Sequence, residues 1–76
     1  MNKKKRELLK QAIGFLDRAY EIVSNVYDQE SDCIDNLPEN LQESQNYERM
    51  EAVIDHLEDA IEEIEHARSE IEEASV

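Results

Sequence analysis

Asp35-Asn36-Leu37-Pro38-Glu39-Asn40-Leu41-Gln42-Glu43-Ser44 is the one stretch of this 76-residue sequence that interrupts a helical pattern. Pro38 has no N–H and disfavours α geometry at Leu37, so a helix arriving from the N-terminal side ends here. Asn40 with Glu43 three residues on has capping-box character, and Ser44 offers a second cap for a helix that follows. The spacing therefore predicts helix 1 over about 4–36, a turn over about 37–44 and helix 2 over about 45–74. Residues 1–76 then read as a single helical hairpin.

Outward from the turn, both flanks carry heptad seams at alternating steps of four and three. The first runs Leu9, Ile13, Leu16, Tyr20, Val23, Tyr27, Glu30, Ile34 and Leu37. The second runs Tyr47, Met50, Ile54, Leu57, Ile61, Ile64, Arg68, Ile71 and Ser75. Such repeats mark coiled-coil-like packing. Folded back antiparallel, residues whose numbers sum to 84 lie level, so that Ile34 meets Met50, Val23 meets Ile61 and Ile13 meets Ile71. The basic segment Lys3 to Lys10 then lies beside Glu70, Glu72 and Glu73, each charged end offsetting the other. The fold class expected is all-α: a two-helix antiparallel hairpin.

One hairpin leaves apolar surface over. Ala12, Ala19, Val26 and Cys33 form a second line on helix 1, and Leu8, Phe15 and Ile22 a third. Val53, Ala60, Ala67 and Ala74 add a line on helix 2. A chain this short seldom buries enough surface alone, and an exposed apolar face marks an interface. The expectation is a homodimeric four-helix bundle; the alternative is docking onto a different protein. Glu30 and Arg68 are the only charges on the seams. In an antiparallel dimer centred near Val23 they face one another across the two chains, a pairing able to fix register.

The composition is strongly acidic. Twenty Asp and Glu against eight Lys and Arg give a formal charge of −12, and one Gly and one Pro leave little material for a strand-rich or Gly-rich nucleotide-binding fold. Glu51, Glu58, Glu65 and Glu72 recur every seven residues, with Glu48, Asp55 and Glu62 on a parallel line. Such a comb solubilises a small bundle. It also suits a basic protein partner, including one whose nucleic-acid site it occupies as a decoy. Helix 2 carries about one net charge per 5 Å against about one per 1.7 Å of duplex DNA. A dimer comes closer to that density than a single hairpin. The same charge repels phosphate, so direct nucleic-acid binding is not expected.

Nothing in the residues points to catalysis. No Ser, His and Asp converge on a cleft, no Gly-rich loop cradles phosphate, and no carboxylate pair sits in an apolar pocket. Glu63-x-x-His66 has di-iron spacing but lies opposite the seam, where a bundle metal site cannot form. His56, Asp59, Glu63 and His66 share an outer stripe suited only to adventitious Zn²⁺. Cys33, the lone cysteine, reads as a small packing residue in a reducing compartment. The three tyrosines read as seam residues with hydroxyls at the edge. No apolar run approaches the roughly 20 residues of a membrane span, and the basic start is not followed by a secretory h-region. The expectation is a cytoplasmic, non-enzymatic protein with no cofactor and no metal, acting through protein–protein contacts.

Leu37-Pro38-Glu39-Asn40-Leu41-Gln42-Glu43-Ser44, followed by Tyr47-Glu48-Arg49-Met50-Glu51-Ala52 and the Ala/Ile/Glu repeat after it, resembles a group of short acidic proteins of Gram-positive phages and mobile elements. The resemblance covers about half of the chain and carries no site residues with it. It implies an accessory role in a mobile element, such as counteracting a host nucleic-acid-binding or defence protein.

Overall fold

A computed structural model describes residues 1–42 and 44–76. Helix α1 runs Lys3–Asp35 and helix α2 runs Gln45–Ala74, with a single 3-10 turn at Glu39–Leu41 between them. The described residues contain no strand. The two helices lie side by side as an antiparallel hairpin of 59 × 15 × 12 Å. Both boundaries fall within a residue of those expected from the sequence.

Local chemistry sets each end. Asn2 caps α1: its Oδ1 accepts from the Lys5 backbone N–H at 2.8 Å. At the other end the Asn36 N–H still reaches the Asp32 carbonyl at 3.2 Å, and the Leu37 N–H bonds to Ile34. Pro38 then stands extended, at φ −59° and ψ 147°, and the helix is over. The Leu41 N–H closes the 3-10 turn on the Pro38 carbonyl at 2.9 Å. Ser44 caps α2, accepting from the Tyr47 N–H at 3.2 Å while its hydroxyl donates to the Leu41 carbonyl at 2.7 Å. Of the two caps the sequence offered, Ser44 is the one used. The reciprocal Asn40–Glu43 box lies partly outside the described residues.

The core is the shared seam and little else. Every seam position is partly buried except Tyr20, which is 39% exposed, yet no described residue is fully buried. A seam between two helices covers each side chain from one direction only, and the width of 12 Å leaves no second layer. The register follows the expected one. Tyr20 and Ile64, whose numbers sum to 84, line one groove together, and Asp17 bonds to Arg68 one residue from level. The basic segment behaves differently from expectation. Among the described residues Lys3, Lys4, Lys5, Arg6 and Lys10 make no ion pair, and Glu72 bonds to Arg68 within its own helix instead. Long, solvent-exposed lysines gain little from a surface ion pair.

Candidate functional site

With the seam positions as a and d of a heptad, the remaining lines sort onto two sides of the hairpin. Ala12, Ala19, Val26 and Cys33 of α1 and Val53, Ala60, Ala67 and Ala74 of α2 all occupy g. Asp17, Ser24 and Ser31 of α1, with Glu51, Glu58, Glu65 and Glu72 of α2, occupy e. Antiparallel helices set g against g along one side and e against e along the other, because each chain runs back past the other. One side of the hairpin is therefore small and apolar, the other acidic.

The acidic side carries two grooves. One, of about 390 Å³, is lined by Tyr27, Ser31, Ile34, Tyr47, Glu51 and Ile54 among others, and the second, of about 180 Å³, by Asp17, Tyr20, Ile64, Glu65 and Arg68. Ser31 with Glu51, and Asp17 with Glu65, are the e positions expected to meet. Arg68 is the side's fixed point. Its Nε donates to Asp17 Oδ1 at 2.6 Å, its Nη2 stands 3.4 Å from Asp17 Oδ2, and its Nη1 bonds to Glu72. The hydrogen bond from Arg68 holds the Asp17 carboxyl below its ordinary value; desolvation opposes it, and the Arg68 charge adds to the lowering. The same bond with Asp17 leads the rise in Arg68, with the charges of Asp17 and Glu72 adding to it.

Arg68 reaches from the seam toward the acidic side and bonds to Asp17 and Glu72 within its own chain. Glu30 is half-buried and makes no ion pair among the described residues. Asp17 escaped the sequence reading, although a signal was present: Arg68 is level with Leu16, and Asp17 is the next residue, on the e side.

The apolar side lies open. Phe15 is 76% exposed, Leu8 55%, Ile22 47% and Val26 39%, with Val53 at 45% on the facing helix. Ala12 and Ala19 are partly covered, whereas Cys33 is exposed rather than packed. The c line of Leu8, Phe15 and Ile22 widens the g line into a full second seam on α1. On α2 the c line is Arg49, His56, Glu63 and Glu70, so its apolar strip is narrow. His66 stands 3.6 Å from Glu70 on that outer surface, an ion pair when the imidazole is protonated. Among the described residues no three His, Cys, Asp or Glu side chains gather to hold a metal ion, and no helix is long and apolar enough to cross a membrane. The remaining acids named from the sequence, Glu48, Asp55 and Glu62, are all exposed on α2.

No family model matches the chain, and no curated protein or solved structure matches it.

Proposed function

We propose that the chain is a small acidic, non-enzymatic interaction module that associates with itself through the apolar side of the hairpin, forming a homodimeric four-helix bundle. The observation that carries the reading is the exposure of Leu8, Phe15, Ile22 and Val26 along one side of α1, in a hairpin with no fully buried side chain among the described residues. Burying such groups is worth about 1.5–3 kcal/mol for each large side chain, and a lone hairpin forgoes it. The resemblance to short acidic phage proteins supports an accessory role in a mobile element, inside a bacterial cytoplasm. Sedimentation velocity across a concentration series tests the module: a dimer is expected at micromolar concentration, and a monomer throughout would remove the reading.

A second reading rests on the acidic side. Glu51, Glu58 and Glu65 run along the edge opposite the apolar face, so a dimer leaves them outward and doubles their charge. That arrangement supports an acidic inhibitor occupying the nucleic-acid site of a basic host protein. Capture from host lysate at low and high salt tests it, since a basic nucleic-acid-binding partner released by salt is the expected result. Retention of that partner by a chain carrying Gln at positions 51, 58, 65 and 72 would count against it.

A further inference from the structure

Resting on the homodimer reading above, we infer the contact that makes the dimer: α1 packs antiparallel on α1 of a second copy, with Phe15 of each chain set against Ala19 of the other. The outer face of α1 is itself a heptad seam. Leu8, Ala12, Phe15, Ala19, Ile22 and Val26 follow steps of four and three, as the inner seam does. At 100° per residue this second seam lies roughly 110° around the helix from the first. A helix in a four-helix bundle touches two neighbours at about a right angle, so α1 is shaped to hold α2 on one side and another helix on the other.

Three features identify that other helix as a copy of α1. The first is size. The outer seam alternates large and small, and antiparallel pairing at a level sum of 34 sets each large residue against a smaller one. Phe15 meets Ala19, Ile22 meets Ala12 and Leu8 meets Val26, each twice by symmetry. Sliding by one heptad, to a sum of 41, sets Ala12 against Gln29 and Phe15 against Val26. The centre near Val23, a sum of 46, sets Phe15 level with Ser31 and takes the apolar seam out of register altogether.

The second feature is charge. Over residues 1–37 the chain has six bases and seven acids, whereas residues 47–76 have two bases and eleven acids. Two copies of α1 approach without repulsion; two copies of α2 do not. The charges on α1 are also polarised, with Lys3, Lys4, Lys5, Arg6 and Lys10 at one end and Asp28, Glu30, Asp32 and Asp35 at the other. None of these makes an ion pair among the described residues. At a sum of 34, along the flank of the outer seam, Lys4 comes beside Asp32 of the second copy. Arg18 meets its own copy near the dyad, and Glu21, 3.2 Å from Arg18 Nη1, stands beside each to offset it.

The third feature is the helix dipole. The first turn of α1 contains no acidic residue and its last turn no basic one, so each end bears the charge its own dipole disfavours. Antiparallel association brings each end the opposite charge from the other copy.

Cysteine bridging tests the register. In a Cys33→Ser background, one chain carries Leu8→Cys and a second Val26→Cys; the two are mixed under a glutathione redox buffer. The mixture is expected to yield a disulfide-linked heterodimer as the main product, and neither chain alone to cross-link, because like positions lie 18 residues apart, about 27 Å. Three results overturn the inference: a Leu8→Cys chain that bridges to itself, as parallel packing requires; a Leu8→Cys chain with native Cys33 that bridges instead from 8 to 33; or a dimer in which none of these forms. Sedimentation of the same samples separates the two claims. A monomer removes the homodimer reading as well, whereas a dimer lacking the 8–26 bridge removes the register alone. If a cysteine variant loses its helicity by circular dichroism, charge reversal carries the test. Lys4→Glu and Asp32→Lys should each weaken association by roughly two- to fivefold at low salt, in keeping with an exposed pair, and the double reversal should restore it. Unchanged affinity in both single variants overturns the register.

Discussion

The two sides of the hairpin are built on the same backbone and the same heptad, yet they solve opposite problems. On the apolar side, Ala12, Ala19 and Val26 face Val53, Ala60 and Ala67, and small side chains leave room for another helix to approach. On the acidic side, Glu51, Glu58 and Glu65 line the edge with like charge, and Arg68 reaches from the seam to Asp17 and Glu72. On the homodimer reading proposed above, one side is adhesive and the other repulsive, an asymmetry that would favour a single arrangement of two hairpins.

The strongest way to break that contrast is to charge the apolar side. Phe15→Asp with Ile22→Asp should abolish self-association, at a cost of at least about 3 kcal/mol, roughly a hundredfold in affinity. Helicity by circular dichroism should also become less resistant to heat, because a hairpin without a buried layer loses its second interface. A concentration-independent monomer in sedimentation is the expected readout; a dimer that persists would place the interface elsewhere.

Gly14 provides a position outside both sides. It lies on the outer surface of α1, and a Cβ there would meet nothing within 4 Å. Gly14→Ala should therefore stabilise the hairpin by about 1 kcal/mol through helix propensity alone. Its thermal midpoint should rise with no change in association. A shift in dimer affinity would mean that the interface reaches further round α1 than Leu8, Phe15 and Ile22.

Neutralising the acidic side should have a smaller effect of the same sign. Glu51→Gln, Glu58→Gln and Glu65→Gln relieve like-charge neighbours such as Glu51 with Asp55 and Glu58 with Glu62, each worth about 0.2–0.5 kcal/mol. Glu72 belongs apart from the other three because it bonds to Arg68, and Glu72→Gln weakens that contact. The triple variant should match or slightly exceed the thermal midpoint of the parent chain, and adding Glu72→Gln should return part of the gain. Marked destabilisation by the triple variant would show that the comb is structural.

Much of this architecture was legible beforehand because helix and register depend on periodicity. Steps of three and four fix which residues face inward, Pro38 fixes where the chain turns, and the two together set the level sum of 84. Side-chain reach was not legible. Arg68 occupies a seam position by number, but its guanidinium extends past the seam to the e line, and no count of residues shows how far a long side chain will travel. The N-terminal lysines fail in the converse way: level with Glu70, Glu72 and Glu73 on paper, they pair with none of them, because solvated ends gain too little to order four-carbon stems. Cys33 reads as packing by its line, yet the line lies outside the seam shared with α2, and Cys33 is exposed.

The smallest effect belongs to the Asp17–Arg68 contact, and its value lies in its pH dependence. Asp17 is held below its ordinary value of 3.8 in the folded chain, chiefly by the hydrogen bond from Arg68. A lowered folded-state value means that the contact's contribution is fully present above the ordinary value. It is lost as pH falls through the lowered one. Asp17→Asn should therefore reduce the thermal midpoint slightly at neutral pH, and the gap from the parent chain should close on acidification below pH 3.8. Because both groups are solvent-exposed, screening keeps the gap small, and added salt should narrow it further. Arg68→Leu supplies the complementary measurement: it removes the cation and completes the seam with an apolar residue level with Leu16. Replacing a charged seam residue by a packed one is commonly neutral or stabilising. If Arg68→Leu raises the midpoint while Asp17→Asn lowers it, the contact exists to accommodate a charge that the seam does not need. If both lower it by similar amounts, Arg68 contributes to the register of the hairpin, and the acidic side then helps to build the fold as well as repel neighbours.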